Sequence, residues 1–373
     1  MRGISYGITL TLSAMLGAIA LFTPARLEAC TGITLTAENG DVVYGRTLEW
    51  GTFDLKSRIF FYPRNFHYQA DMPKGMSGMK WTGRYGVAGL DALNKGCLID
   101  GMNETGLTAG LFYHPGFAEY VDWTGKDADR ALAPTDVLNY ILSTCSTVAE
   151  VRKALTDAVV VNVKEEELGF PAPIHIIVTE PGGNQLIVEW TDGKTRFYTS
   201  KVGVITNAPN YDWHLTNLRN YLDLTSKPHQ DIDLGKIKLS PLGGGSGMLG
   251  LPGDFTPPSR FIRAVAFSAT ARPLPNGEEG IYEAFRILDN FNVPLGAAEG
   301  GGKSASKGMR SATIWTIAHD QANRKFFYHT QNDRQLQGVD LQKIDFSAFD
   351  KPFALPLDNG KQSVKDRTPK LPE

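Results

Sequence analysis

The sequence is poor in the residues and patterns that mark several common classes of protein. Its 373 residues include three cysteines and seven histidines, and neither His-Glu-x-x-His nor Cys-x-x-Cys occurs. These zinc motifs are absent, so no metal is predicted. No Gly-x-Ser-x-Gly elbow occurs, which argues against the serine hydrolases that carry it. The formal net charge is −2 without a dense Lys/Arg run, so nucleic acid is not a predicted partner.

Long apolar runs are also lacking, and the one at the start of the chain is too short for a membrane span. It covers Ile8–Phe22, whereas a span needs about 20 apolar residues. Together with basic Arg2 before it and small Ala29 after it, this run is typical of an export signal over residues 1–29. Its removal would make Cys30 the first residue of a periplasmic or secreted protein.

A chain that begins with Cys30 carries a thiol and a free α-amine on one residue. The amine has a reference pKa of about 8, so it can take the thiol proton without a histidine. Two other interpretations stay open. Leu27–Cys30 also resembles a lipoprotein cleavage box, which would give a lipid-anchored, non-catalytic envelope binding protein. Alternatively, Cys30 is an ordinary residue near the start of an exported chain.

The pattern along the chain predicts an α+β fold, with one domain over residues 30–350 and a loose tail over 351–373. Strands come in groups with helices between them, which favours antiparallel sheets packed with helices over a doubly wound parallel sheet. The predicted strands are Thr31–Thr36, Val42–Leu48, Cys97–Ile99, Leu107–Phe112, Ile174–Val178, Leu186–Trp190, Lys201–Thr206, Ala312–His319 and Lys325–Thr330. The predicted helices are Pro134–Cys145, Val148–Asp157, His214–Leu224, Ser259–Ala269 and Ile281–Phe291.

The first two strands are predicted to form a hairpin, because Asn-Gly at Asn39–Gly40 is the strongest short turn signal. If these are the two turn residues, Cys30 lies opposite Glu49, close enough for the carboxylate to reach the α-amine. The same register pairs Arg46 with Ile33, on the other face of the hairpin. A bulge, or a bend near the end of the strand, would then be needed to bring Arg46 to Cys30.

Two further features have structural interpretations. Cys145 has helical spacing with its apolar neighbours and is predicted to be a core thiol, although a disulfide with Cys97 stays open. Gly300–Ser304 resembles the end of a phosphate-binding loop, but Ala297 stands where the first glycine is required. A flexible loop is therefore predicted there.

Four short motifs follow one another in a specific order. They are Cys-Thr-Gly at 30–32, Gly-Arg-x-x-(acid)-Trp at 45–50, Thr-Asn-x-Pro at 206–209 and Ser-Arg-Phe at 259–261. In this combination the chain resembles the choloylglycine hydrolase and penicillin V acylase family of N-terminal nucleophile hydrolases, over essentially the whole mature length. The resemblance implies a four-layer αββα sandwich with two antiparallel sheets between helical layers, assembled as a homotetramer. It also implies hydrolysis of a linear amide C–N bond without metal or cofactor.

The resemblance assigns roles position by position. Cys30 matches the nucleophile, and Arg46 matches the arginine beside the thiol. Asn207 matches the asparagine whose amide donates to the oxyanion, and Arg260 the arginine that supports the site. Glu49 falls where most members have an aspartate that holds the α-amine, so this chain departs from the family by one methylene.

Substrate class is less determined by the motifs. Phe112 falls where bile salt enzymes commonly have Asn and penicillin acylases have Tyr, so its main-chain N–H is the group expected to donate to an oxyanion. Phe60, Trp81 and Tyr113 are predicted to bind an apolar acyl group. The expected substrate is a small-molecule amide of the choloylglycine or penicillin V type, with N-acyl homoserine lactones as the alternative. An exported acyltransferase that passes the thioester to an amine is a second rival.

Overall fold

The computed structural model describes residues 28–50, 54–73, 76–297 and 309–369. Most of the predicted export signal and the Gly300–Ser304 loop lie outside the described residues. The strands are β1 (Glu28–Thr36), β2 (Val42–Trp50), β3 (Arg58–Tyr62), β4 (His67–Gln69), β5 (Lys80–Thr82), β6 (Val87–Ala92), β7 (Cys97–Asn103), β8 (Thr108–Tyr113), β9 (Ala131–Leu132), β10 (Val159–Val160), β11 (Ile174–Thr179), β12 (Gln185–Thr191), β13 (Lys194–Thr199), β14 (Val204–Ile205), β15 (Ile232–Leu234), β16 (Ile237–Leu239), β17 (Thr313–Asp320), β18 (Lys325–Thr330), β19 (Gln337–Asp340) and β20 (Phe353–Pro356). The helices are α1 (Val137–Thr144), α2 (Val148–Asp157), α3 (Tyr211–Leu218), α4 (Pro257–Thr270) and α5 (Gly277–Leu288).

Two antiparallel sheets form the centre of the described part of the chain. One has six strands in the order β14-β1-β2-β17-β18-β19, and the other has eight in the order β13-β12-β11-β8-β7-β6-β3-β20. Helices α4 and α5 pack on the six-stranded sheet, and α1 packs on the eight-stranded sheet. This arrangement confirms the predicted four-layer αββα sandwich. Within the described ranges, no helix combines the length and apolar character needed to cross a membrane.

Alternation along the strands sends side chains to two separate hydrophobic cores. On β3, Ile59 and Phe61 join the core that lies between the sheets, whereas Phe60 and Tyr62 face the outer core beneath α1. Such a period of two is what a strand buried on both faces requires. The inter-sheet core contains Cys30, so residues on opposite faces of one strand differ in whether they can approach it.

Local signals predicted some elements better than others. Helix α2 has the predicted bounds, and the side chain of its N-cap Thr147 accepts a hydrogen bond from the Glu150 N–H. Helix α3 begins three residues earlier than predicted, at Tyr211. Among the described residues the three cysteines are free, so the Cys97–Cys145 disulfide is not formed, and Cys145 is a buried thiol.

The C-terminal segment departs from the predicted loose tail. Residues Phe353–Pro356 form β20, which pairs with β3 at the edge of the eight-stranded sheet. The Phe353 ring stacks on Phe61 at 4.8 Å between centroids, and the Leu357 carbonyl accepts a hydrogen bond from the Tyr328 hydroxyl at 3.0 Å. The Pro- and Lys-rich composition argued against a strand in the sequence. A strand forms here nevertheless, because an edge strand tolerates proline.

Candidate active site

The hairpin that carries Cys30 has a register that differs from the predicted one by one residue. Cys30 lies opposite Leu48, and Ala29 lies opposite Glu49. The reason is the turn: Glu38, Asn39 and Gly40 form a three-residue loop in which Gly40 has φ +90°, the left-handed conformation that closes such loops. The predicted two-residue turn, and the pairing of Cys30 with Glu49, are therefore wrong.

This shift determines which side chains share a face with the thiol. Arg46 lies opposite Gly32, two residues after Cys30, so Arg46 and Cys30 face the same inter-sheet space without a bulge. A one-residue change of register moves a whole set of side chains to the other face of a strand. Gly32 leaves room there, because a Cβ at this position would lie 2.7 Å from Phe112 Cζ. The Glu49 side chain belongs to the opposite, helix-facing side.

Arg46 is completely buried and its guanidinium is held mostly by neutral groups. Nη1 donates to the Ile99 carbonyl at 3.1 Å and to the Leu111 carbonyl at 2.5 Å, and the guanidinium carbon lies 4.1 Å from the centre of the Phe112 ring. Its Nη2 has no hydrogen-bond partner among the described residues. One donor on a buried cation is thus available to a thiolate or a substrate in this space.

The Cys30 thiol is buried, and its pKa is raised. Burial is the largest cause, because it disfavours the thiolate, while the positive charges of Arg46 and Arg260 act in the opposite direction. A nucleophilic thiolate at this position needs a base that removes its proton. Glu49 faces the other side of the strand, so its carboxylate does not lie on the thiol's face.

Arg260 and Asn207 hold the main chain of Cys30 from the helix side of the six-stranded sheet. The Cys30 N–H donates to Asn207 Oδ1 at 2.7 Å, and the Cys30 carbonyl accepts a hydrogen bond from Arg260 Nη1. Arg260 also donates to Asn207 Oδ1 at 2.8 Å and to Thr31 Oγ1 at 2.9 Å. Its position near the start of α4 explains the contact, since α4 packs on β1. Burial lowers the Arg260 pKa to about 10.

The side-chain amide of Asn207 bridges the two sheets. Its Nδ2 donates to the Tyr113 carbonyl at the end of β8, at 2.8 Å. An amide nitrogen has two hydrogens, so a second N–H of Asn207 is left for an oxyanion at this point. The structure therefore brings together Cys30, Arg46, Asn207 and Arg260, as the motifs predicted.

Glu49 lies beside the bond that precedes Cys30. Its Oε1 accepts a hydrogen bond from the Thr313 hydroxyl at 3.1 Å, and its Oε2 has no partner among the described residues. Burial raises its pKa to about 7, against the favourable charge of Arg260. Because Glu49 is directly across from Ala29, a cleavage after Ala29 would create a new amino group next to this carboxyl.

The main-chain N–H of Phe112 in β8 does not point towards Cys30, as its predicted role would require. Phe112 pairs with His175 of β11, and the next residue on that side, His114, donates its N–H to the Pro173 carbonyl at 2.7 Å. Main-chain groups alternate along an antiparallel strand, so the Phe112 N–H faces β11. The groups that face Arg46 and Asn207 belong to Leu111 and Tyr113. The predicted role of the Phe112 N–H as an oxyanion donor therefore does not fit the geometry of this strand.

The predicted aromatic pocket is divided between two sides of the eight-stranded sheet. Tyr113 packs against the inter-sheet core, with its ring 5.6 Å from Trp50. Phe60 and Trp81 belong to the outer core, where Trp81 stacks on Tyr68 at 5.0 Å. Trp81 there lines a separate cavity of about 590 Å³. The structure does not bring Phe60 and Trp81 to Cys30.

Buried polar residues that the sequence analysis missed surround this centre. Below Arg46, Asp100 accepts hydrogen bonds from the Tyr44 hydroxyl at 3.2 Å and from His319 Nε2 at 2.6 Å. Burial works against the charged form of Arg46, but the charges of Cys30, Tyr44 and Asp100 outweigh it, so the pKa of Arg46 is raised and the guanidinium cation is favoured. On the Asn207 side, His175 and Glu189 are buried together. No local motif identified these residues, since each is a single polar position in an apolar strand.

Three buried side chains near Asn207 are of the types that bind metal ions. Ligand atoms of His114, His175 and Glu189 lie within 4.8 Å of one another, and all three side chains are buried. However, the His114 and His175 rings are parallel, with centroids 4.2 Å apart. An ion in the plane of one ring would lie outside the plane of the other, so the geometry does not suit shared coordination.

The fold is that of the N-terminal nucleophile hydrolases. In this class two antiparallel sheets form a sandwich, and the nucleophile is the first residue of a central strand. Within that class the chain belongs to the choloylglycine hydrolase family of linear amide C–N hydrolases, whose family model matches residues 30–354. It is an enzyme that hydrolyses linear amides.

Individual proteins support this placement. A bile salt hydrolase/transferase of Clostridium perfringens is 32% identical over 321 residues, which cover 84% of this chain and 93% of that protein. A penicillin V acylase of Pectobacterium atrosepticum is 26% identical over 340 residues, with 86% and 82% covered. The structure of a variant of the conjugated bile acid hydrolase from C. perfringens superposes with a TM-score of 0.79 at 26% identity, covering 91% of this chain and all of that one.

Proposed function

We propose that Cys30 becomes the first residue of the mature enzyme and is its nucleophile, and that the substrates are amides of the bile salt or penicillin V type. The observation that carries this proposal is the position of Cys30: its thiol shares a face with Arg46, while its main-chain nitrogen donates to Asn207 at 2.7 Å. The family match also begins at residue 30. Removal of residues 1–29 would place the enzyme in the periplasm or outside the cell.

The chemistry follows from these contacts. The Cys30 α-amine takes the thiol proton, and the thiolate attacks the amide carbonyl carbon. The second N–H of Asn207 and Nη2 of Arg46 stabilise the oxyanion. As the C–N bond breaks, the ammonium returns its proton to the leaving nitrogen, which leaves a thioester. Water then attacks the thioester, giving one proton to the amine, and the carboxylic acid leaves as the C–S bond breaks.

Glu49 has a defined part in this scheme. The new amine keeps its hydrogen bond to Asn207 Oδ1 and has further hydrogens for the unpartnered Oε2 of Glu49. A carboxylate at this point favours the ammonium form that donates to the leaving group. The extra methylene relative to aspartate is accommodated because Glu49 lies across from Ala29 rather than from Cys30.

Two measurements test the proposal. Mass spectrometry of the exported protein is expected to find a free Cys30 amino terminus, whereas a diacylglyceryl, N-acylated Cys30 would exclude the amine as base. The mature protein is then assayed with glycocholate, penicillin V and a long-chain N-acyl homoserine lactone. Faster release of glycine or of the penicillin nucleus supports the proposed class. Preference for the lactone would instead identify an acyl homoserine lactone acylase. Transfer of the acyl group to added amine instead of water would identify an acyltransferase.

We also propose that the enzyme is a homotetramer, and an exposed ribbon supports self-association. Strands β15 and β16 pair Ile232 with Leu239 and Leu234 with Ile237, so all four aliphatic side chains lie on one face. Each is between 43 and 66% exposed. A two-stranded ribbon is marginally stable alone, so an apolar face of this kind needs a partner surface.

Charges on that face are expected to dissociate the assembly. The double variant Leu234→Glu with Ile237→Lys should shift the mass measured by light scattering from tetramer to monomer or dimer, because buried charges are costly at an apolar interface. The matched control, Asp233→Asn with Lys238→Gln, changes the opposite face of the ribbon and should leave the mass unchanged. An unaltered mass in the first variant would show that this face is not the interface.

A further inference from the structure

The turn that carries Asn207 is held by two buried histidines. His175 Nε2 lies 2.9 Å from the Thr206 carbonyl, and His214 Nε2 lies 3.0 Å from the Asn207 carbonyl. A carbonyl oxygen accepts hydrogen bonds but cannot donate them, so both histidines carry a proton on Nε2. Two consecutive carbonyls of the turn are thus fixed by side chains from β11 and α3.

The tautomer of His175 creates a requirement at its other nitrogen. His175 Nδ1 faces Glu189 Oε1 at 3.2 Å. With the ring neutral and Nε2 protonated, Nδ1 is an acceptor, and an ionised carboxylate is also an acceptor. Two facing acceptors repel each other, so the pair requires one proton between them.

Glu189 links this pair to the start of α3. Its Oε1 also accepts the N–H of Tyr211, the first residue of the helix, at 2.8 Å. The charged and titratable groups that face Glu189 are His114 just after β8, His175 on β11, Tyr198 and Arg196 on β13, and Tyr211 and Asp212 on α3. Asn207 stands between this cluster and Cys30, and the Cys30 N–H donates to its side chain.

We propose that His175 and Glu189 are positioning residues that share one proton, fix the Thr206–Asn207 turn and so aim the Asn207 amide at the reacting carbonyl. The pair does not touch substrate. It acts through the Thr206 carbonyl, one residue from the oxyanion donor. The inference rests on the proposed function, because it takes Asn207 as that donor.

The proton is expected to leave this pair near neutral pH. Burial raises the Glu189 pKa to about 7 and lowers the His175 pKa to about 4, so between these values the proton is on Glu189. A pKa raised by folding means that the arrangement is complete at low pH and is lost as pH rises through about 7. Above it, a buried carboxylate faces the lone pair of His175, and the turn loosens.

The Glu189→Gln variant separates positioning from packing. A glutamine amide with its N–H on His175 Nδ1 keeps this contact without titrating, but it gives up the acceptor for the Tyr211 N–H, because both contacts use the position of Oε1. We expect kcat at pH 6 to fall by no more than about tenfold, which corresponds to the one hydrogen bond that is lost. The decline of kcat as pH rises through about 7 should disappear. A decline that persists unchanged would overturn the proposal, since it would then belong to Glu49 or the α-amine.

His175→Phe tests the link to the turn and has a matched control. It keeps a ring but removes the N–H that holds the Thr206 carbonyl, so kcat should fall about tenfold at nearly constant KM at every pH. His329→Phe removes another buried histidine, which packs on Phe285 of α5, and should keep the wild-type kcat. Equal losses of kcat in the two variants would show that His175 has only a structural role.

Two further outcomes are distinguishable. In the first, EDTA abolishes activity, zinc restores it, and the wild type binds one ion that the His175→Phe variant does not bind. This result would show that His175 and Glu189 bind a metal ion and do not share a proton. Absence of hydrolysis in the wild-type enzyme with every amide tried would overturn the proposed function itself. In contrast, an active wild type whose Glu189→Gln variant keeps the alkaline decline overturns this inference alone.

Discussion

The Cys30→Ala enzyme is expected to lose amide hydrolysis by at least about 10⁴-fold while keeping its fold. Removing the nucleophile from a cooperating group leaves the residual catalysis of binding and oxyanion stabilisation. The lost sulfur costs about 1 kcal/mol of unfolding free energy, because Cys30 is buried in the inter-sheet core. Initial rates with the preferred amide, together with thermal unfolding, measure both quantities.

A second cysteine provides the control. Cys145 is also buried, but it lies in the outer core beneath α1, so Cys145→Ala should match the stability change and keep the wild-type rate. Cys30→Ser should remove most turnover as well, because a serine hydroxyl stays protonated near neutral pH and is a weaker nucleophile than a cysteine thiolate. If Cys30→Ala keeps the wild-type rate, the nucleophile is elsewhere.

Replacing Asn207 by alanine is expected to lower kcat by about 10²–10³-fold, as the loss of one oxyanion donor does in other hydrolases. The same change removes the acceptor for the Cys30 N–H and for Arg260 Nη2. Buried donors without partners should lower the unfolding free energy by about 1–3 kcal/mol. Steady-state kinetics and chemical denaturation separate these two effects.

Asn207→Asp distinguishes donation from packing. Aspartate keeps an acceptor for Cys30 and Arg260 but has no N–H for an oxyanion or for the Tyr113 carbonyl, so kcat should fall at least as far as in the alanine variant. Asn139→Ala is the control, because Asn139 is a buried amide in the outer layer that donates to the Gly96 carbonyl at 3.0 Å. It should lose stability and keep kcat. High activity in Asn207→Asp would remove Asn207 from the oxyanion site.

Local patterns were sufficient for much of the fold. The capping residues of α2 and the apolar runs of β11, β12 and β18 predicted these elements within one residue of their observed bounds. Several strands were missed, among them β3, β6 and β13. β6 is buried along its whole length, so it shows no alternation of apolar and polar residues.

The sequence by itself determined the candidate nucleophile, the order of the motifs and the family, because these depend on which residues follow one another. Only the tertiary structure decided which face each residue occupies and which distant residues meet. One extra residue in the loop at Gly40 placed Arg46 beside the thiol, since side chains alternate along a strand. The Asn207 contact joins residues 177 positions apart, and the His175–Glu189 pair needs two adjacent strands. Such contacts arise from packing and have no local signal in the chain.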